Sequence, residues 1–368
     1  MKNSCNKISK NLKENILARR GVLHLTVMAE GDKHLRQCES KKTKVAVLKK
    51  SLTLFGLCID IVAITVLMCS CNNSHMDNES ESKQFNNIKR KVSGRIILAI
   101  GDSNGVINGG WPKALAAILK EDSVFNHSEG GRTIGFDNCG RLSWNTLRNI
   151  KSYLEWGLKR SHQKPIDEVI ILLGTNDSKA CFEKKKDRVT PNLIKLIEKI
   201  RDFDNSDDPP PHITIVPPPP YAPDSLVAKK AIGGDYSVRL LIPQFRDVAL
   251  QYHCAYVNIY PLIQSVFSDV AMDHVHLNRK GHAIIAETIA EVLNDWEAPE
   301  PPSGLSHNEN TLSWNPSVSS DVIGYEVISR DRIIKAVAAT KVKLPHDITN
   351  LAVRARDGYG NVSIDVKP

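Results

Sequence analysis

From residue 95 to residue 296 the chain alternates apolar runs of strand length with stretches of helical spacing. "RIILAI" is followed by "WPKALAAILK", "SVFNHS" by a helix from about Leu142 to Arg160, and "EVIILLG" by "TPNLIKLIEKIRDF". "HITIVPPPP", "SVRLLIPQFRDVALQY", "AYVNIY" and "KGHAIIAETIAEVLNDW" complete the series. Continuous apolar runs between helices mark strands buried on both faces, so the pattern predicts a three-layer α/β/α domain around a five-stranded parallel sheet. Ligands of such sheets lie beyond the carboxyl ends of the strands. The distinctive polar strings fall there: "GDS" after the first run, "NHSEGGRT" after the second and "GTND" after the third.

The pattern changes on both sides of this region. After Trp296, "EAPEPPSG" is a proline-rich linker, and "NTLSWNP", "IGYEVIS", "KAVAATKVKLP" and "NLAVRARDGYGNVS" are short strands separated by turn signals, predicting a small all-β sandwich over residues 297–368. Before Arg95, residues 72–93 are polar with little apolar content, as a tether is. Residues 1–71 hold "KKTKVAVLKK", then "SLTLFGLCIDIVAITVLM", then "CSC": the charged, apolar and small-residue parts of a secretory signal. An uncleaved membrane anchor is the alternative, and Asp60 near the middle of the apolar run counts against it. The residues ahead of the basic stretch have no part in such a signal, so translation is expected to start at Met28 or between Met28 and Lys44.

Charge and cysteine content sharpen this division. The 368-residue chain carries a formal charge of +8, but residues 1–71 hold 13 Lys and Arg against 5 Asp and Glu, leaving 36 against 36 for the rest. The basic balance therefore belongs to the leader, and the globular part shows no nucleic-acid footprint. Five of the 8 cysteines also lie in the leader; Cys139, Cys181 and Cys254 are too few and too scattered for a disulfide framework or a zinc site. One disulfide is possible among them, although buried thiols are the simpler expectation.

"AIGDSNG" poses the chemical question. As G-x-S-x-G it matches the nucleophile elbow of α/β-hydrolases, but that elbow needs several earlier strands, one of whose loops supplies an oxyanion amide, and here only the leader and tether come first. The chain instead offers "DHVHLN", with Asp273 three residues before His276 and just ahead of the last helix. A serine hydroxyl becomes a nucleophile when a base takes its proton, and a carboxylate orients that base. Ser103, His276 and Asp273 are the candidates for these roles. Each has a plainer reading: Ser103 as a helix cap, Asp273 as a loop cap, and His274 as a rival base. "HVH" also puts two imidazoles on one face of an extended segment, but no further ligand cluster supports a metal, and no metal or other cofactor is expected.

The four strings, taken in order, resemble the SGNH or GDSL-type esterase family: "GDS" with Ser103, "NHSEGGRT" with Gly131, "GTND" with Asn176 and "DHVH" with Asp273 and His276. The resemblance implies a flavodoxin-like hydrolase fold over residues 94–296. It also implies a Ser103–His276–Asp273 triad and an oxyanion hole made by the amides of Ser103 and Gly131 and the side chain of Asn176. Asn104 stands where the family name expects leucine, and Ser128 where the second block often has glycine. The C-terminal segment, with Trp314, Tyr325 and the "VRARDGYGN" turn, resembles a fibronectin type III module. The tail of the leader resembles a bacterial lipoprotein signal, with Cys71 as the lipidated residue.

These resemblances imply an envelope protein anchored in a membrane, at the outer membrane of a Gram-negative bacterium. "DNESES" after the anchor favours surface export, while the membrane face stays open. The implied partner is an acylated carbohydrate or other small ester, and the leading activity is removal of O-acetyl groups. A general short-chain esterase or lysophospholipase, and a catalytically idle glycan-binding protein, are the alternatives. Arg132, Tyr221, Asp224 and Tyr236 are candidate substrate contacts.

Overall fold

The computed structural model describes residues 90–368. The leader, Cys71 and most of the tether lie outside the described residues. The fold takes hold slightly before Arg95: the Arg90 guanidinium stacks 4.1 Å above the Tyr359 ring, and Lys91 pairs with Asp167 at 2.7 Å.

Five strands, β1 (Ile96–Gly101), β2 (Ser123–Asn126), β3 (Glu168–Leu172), β4 (His212–Val216) and β5 (Ala255–Tyr256), form one parallel sheet in the order β2-β1-β3-β4-β5. Every residue of β1 and β3 is buried, as their unbroken apolar runs require. Alternate side chains serve opposite layers: Leu98 and Ile100 face one core, Ile97 and Ala99 the other.

The first layer is α2 (Thr146–Arg160), α3 (Val189–Arg201) and α4 (Gly234–Gln251), which contribute Leu154, Leu196 and Phe245 among others. The second is α1 (Gly110–Ile118), the short α5 (Tyr260–Ser265) and α6 (Phe267–Val270), and α7 (Arg279–Leu293). Helix α2 begins four residues later than its apolar spacing suggests, because Asn145 caps it by accepting from the Arg148 N–H at 3.1 Å. Asn278 caps α7 in the same way, through the N–H groups of Lys280 and Gly281.

The chain steps from β1 to β2 on one side and to β3 on the other, so the crevice above the ends of β1 and β3 is the switch point of the sheet. "GDS" and "GTND" leave the sheet at this point.

The C-terminal residues build two three-stranded antiparallel sheets: β6 (Ser303–Asn308), β7 (Thr311–Asn315) and β10 (Lys341–Lys343) in one, and β8 (Val322–Ser329), β9 (Arg332–Val337) and β11 (Leu351–Asp357) in the other. Leu312 and Trp314 from the first meet Tyr325, Val327 and Val353 from the second in a shared core. This sandwich does not hang free of the α/β part. Tyr359 is built into the core under α1 and α7, the Tyr256 N–H donates to the Gly358 carbonyl at 2.7 Å, and Asn361 Nδ2 donates to the Asp295 carbonyl at 3.0 Å. Buried Glu326 completes the junction, taking Arg354 and Arg356 from its own sheet and His253 from the end of α4.

Candidate active site

At the end of β1 the chain turns through Asp102, Ser103 and Asn104. Asp102 is buried and its Oδ1 accepts from the Asn104 N–H at 3.0 Å, which fixes the turn. Gly105 is required by packing: a Cβ there would lie 2.1 Å from Ser128 Oγ. The G-x-S-x-G spacing thus reflects the close approach of the β2 loop and needs no elbow.

The turn meets the loop before α7. His276 Nε2 lies 2.9 Å from Ser103 Oγ, and His276 Nδ1 lies 2.7 Å from Asp273 Oδ2. A carboxylate only accepts, so Nδ1 carries the proton and Nε2 faces the serine as acceptor. The other oxygen of Asp273 takes the backbone N–H groups of Val275 and His276 at 2.8 and 2.7 Å. Partial burial pushes the Asp273 carboxyl up, but the bonds from the His276 ring and from these two amides outweigh it and leave its pKa below the ordinary carboxylate range. His274 is exposed and joins the structure through its carbonyl, which accepts from the Ala222 N–H. The imidazole that reaches the Ser103 hydroxyl is therefore that of His276.

The position where leucine is usual turns out to hold the site together. Asn104 is fully buried; its Oδ1 accepts from the Leu277 N–H at 3.0 Å and its Nδ2 donates to the Val275 carbonyl at 3.4 Å. One side chain next to the serine thereby grips both residues flanking His276. An amide, unlike leucine, can serve a buried donor and a buried acceptor at once, which was the signal available in the sequence.

The expected oxyanion donors gather on the other side of Ser103. No partner is present among the described residues for the N–H groups of Ser103, Gly130 and Gly131. Gly130 stands close, since a Cβ on it would lie 3.9 Å from the Ser103 Cβ. Gly131 has φ +87° and its carbonyl accepts from Asn138 Nδ2 at 2.7 Å. Asn176 is buried and donates through Nδ2 to the Arg132 carbonyl at 2.9 Å, which leaves its second amide hydrogen for a ligand. Next to it, Asp177 accepts from the Ile134 N–H and ties the third block to the second. Burial pushes that carboxyl up to about 7.

Of the expected substrate contacts, Arg132 and Tyr221 are buried in the fold, while Asp224 and Tyr236 are exposed. Arg132 is 1% exposed: its guanidinium holds the His127 carbonyl and Glu129, and stacks 4.4 Å from the centre of the Tyr153 ring. It is a brace for the glycine turn. Tyr221 is buried against Ala231 and Val238, and its hydroxyl donates to the Thr175 carbonyl. Asp224 accepts from the Gly233 N–H at 2.8 Å and closes its own loop. Tyr236 is 62% exposed at the start of α4 and has no hydrogen-bond partner among the described residues.

Two further features lie apart from this cluster. A cavity of about 220 Å³ is lined by Asp177, Ser178 and Lys186 and by Ser237, Leu241 and Gln244 of α4, and none of Ser103, Asp273 and His276 lines it. Among the described residues, Asp295, Asp321 and Asp357 bring carboxylate oxygens within 4.8 Å of one another at the junction with the sandwich. Asp357 is already engaged by the amides of Gly360 and Asn361.

The model of the GDSL-like Lipase/Acylhydrolase family matches residues 99–284. No curated protein matches the chain. Among solved structures, a carbohydrate acetylesterase from Sinorhizobium meliloti is 22% identical, with a TM-score of 0.43 over 54% of this chain and 97% of that one. The aryl esterase of M. smegmatis is also 22% identical, with a TM-score of 0.44 over 53% of this chain and 96% of that one. A catalytic mutant of an acetylxylan esterase from Geobacillus stearothermophilus is 18% identical, with a TM-score of 0.41 over 57% and 98%.

Proposed function

The chain belongs to the GDSL-like lipase/acylhydrolase family, and on that premise we propose that it is a serine esterase that removes short acyl groups, acetyl above all, from carbohydrates. The observation that carries this reading is the hydrogen-bonded line from Asp273 through His276 to Ser103. His276 Nε2 takes the hydroxyl proton as Ser103 Oγ attacks the ester carbonyl, and Asp273 stabilises the imidazolium that forms. The tetrahedral oxyanion is held by the amides of Ser103 and Gly131 and by Asn176, with the Gly130 amide beside them. The imidazolium then gives its proton to the departing alkoxide oxygen. Water, deprotonated by His276, releases the acid from the acyl-serine.

The loops leaving β3 and β4 carry six lysines and no long apolar stretch, which suits a hydrated glycan better than a fatty chain. Lipidation at Cys71, a bacterial envelope location and a fibronectin type III-like role for residues 297–368 belong to the same proposal. An intact mass of the membrane-extracted protein that started at any other residue, or lacked acylation, would contradict the anchor. The activity is tested with p-nitrophenyl esters of rising chain length and with acetylated xylan. Acetate release, rates falling beyond butyrate and a silent Ser103→Ala variant are expected. Rates that climb with chain length would contradict the acetylesterase reading.

A further inference from the structure

The segments that follow β3 and β4, at the end of the sheet that carries Ser103, are rich in cations. The segment after β3 carries Lys179, Lys184 and Lys185, and the loop after β4 carries Lys229 and Lys230. The two short helical segments that hold most of them, Ala180–Arg188 and Lys229–Ala231, touch each other. Of the acidic residues in these loops, Glu183 is engaged by Lys186, Asp235 by Arg239 and Asp224 by the Gly233 amide, which leaves Asp187 as one exposed carboxylate among the lysines. None of the five lysines makes an ion pair among the described residues.

Lys179 is the innermost. It lies one turn beyond Asn176, whose carbonyl its N–H meets at 3.4 Å, and it is half-buried. Its ammonium is within electrostatic reach of Asp102 behind the serine, of Cys139 on the glycine-turn side and of Lys230 on the loop after β4. Burial lowers its pKa, and Lys230 lowers it further. A half-buried ammonium facing a second one costs folding free energy, and an anion placed between them would offset that cost. Lys184, Lys185 and Lys229 carry the positive charge outward from this point, so the surface suits a ligand whose negative charge repeats along its length.

We propose that Lys179 and Lys230 form an anion subsite beside the oxyanion donors, and that the substrate is an acetylated polysaccharide whose sugars carry carboxylates. The proposal rests on the esterase reading and adds the charge of the substrate. Lysine suits this role as a point charge on a flexible stem, able to follow carboxylates whose spacing varies along a polymer.

The test compares acetate release by the full protein from acetylated polygalacturonate and from neutral acetylated xylan, with p-nitrophenyl acetate as the reference ester. The wild type is expected to favour the uronate polymer in kcat/KM, and the preference should shrink as salt rises from about 0.02 to 0.2 M, where the screening length falls below about 10 Å. The double variant Lys179→Gln, Lys230→Gln should lose about tenfold of that preference through KM, the scale of one or two charge-assisted contacts. Equal rates on the two polymers, an equal loss on both in the variant, or a preference for an anionic lysophospholipid would overturn the subsite while p-nitrophenyl acetate is still cleaved. No cleavage of any ester would overturn the esterase reading, and the subsite with it.

Discussion

Trp144 packs directly on Gly131: a Cβ added to that glycine would lie 2.8 Å from the indole ring. The ring is held in place by its Nε1, which donates to Glu129 Oε1 at 2.9 Å, and by Arg141, whose guanidinium stacks 4.4 Å from the ring centre. Glu129 also receives Arg132 at 3.3 Å, so the glycine turn is clamped by side chains that flank it on both sides. Gly131→Ala must meet both this ring and a φ of +87°. Displacement of the oxyanion amide is expected to cut kcat on p-nitrophenyl acetate by about 100-fold or more, on the scale of losing one donor. A variant with near-normal kcat would show that this amide does not face the reacting carbonyl.

Asn176→Ala tests the side-chain donor proposed for the same oxyanion. A fall in kcat of about 100- to 1000-fold is expected, with KM for p-nitrophenyl acetate changed far less. A change confined to KM would mean that Asn176 binds the ground state only.

Asn104→Leu restores the residue usual in the family name and tests the clamp on the histidine loop. Leucine leaves the buried Leu277 N–H without the acceptor it now meets at 3.0 Å. The expected cost is about 1–3 kcal/mol of stability, read as a lower Tm, together with a fall in kcat because His276 loses its fixed distance to Ser103. Unchanged Tm and kcat would show that the loop is held by other contacts.

The pH dependence of stability follows from Glu168 at the start of β3. Burial raises its carboxyl from 4.5 to about 7, although Thr214 Oγ1 donates to it at 2.6 Å and Arg90 and Arg95 lie near. Between those two values the folded protein keeps a proton that the unfolded chain has lost, so this group favours folding fully below 4.5 and progressively less as pH rises through about 7. Asp177 and Asp357, raised by burial to about 7 and about 6, act in the same direction. His212 and His282, lowered by burial to about 4, act the opposite way, so the expected result is a difference: the Tm of Glu168→Gln should gain on that of the parent protein as pH rises from about 4.5 to about 8. Parallel Tm curves for the two proteins would contradict it.

The legible parts of the fold were those fixed by local sequence. Runs such as "RIILAI" and "EVIILLG" are apolar throughout because helices cover both faces of the sheet, and that pattern gives a buried parallel strand directly. Three of the four motifs could be placed for the same reason, at strand ends, and the fourth just ahead of α7; Ser103, Asp273 and His276 do come together. Side chains whose partners are distant in sequence were not legible. Arg132 reads as a surface residue until Tyr153, supplied by α2, covers its guanidinium. Tyr221 looks amphipathic until Thr175, on another loop, takes its hydroxyl. Trp144 falls outside every motif and is brought to Gly131 by the turn before α2, where the Thr133 N–H meets the Trp144 carbonyl at 2.9 Å. The sandwich shows the same limit: its strands could be read, but the docking of Tyr359 into the other core could not.

The central claim is that Ser103 is the nucleophile and His276 its base. The most direct measurement is labelling with a fluorophosphonate, which requires an activated serine, followed by peptide mass spectrometry. One adduct per chain on the peptide containing Ser103, with labelling slowed at least about 1000-fold in His276→Ala, is the result the hydrogen-bonded line predicts. An unlabelled protein, an adduct on another serine, or labelling at the same rate without His276 would contradict it.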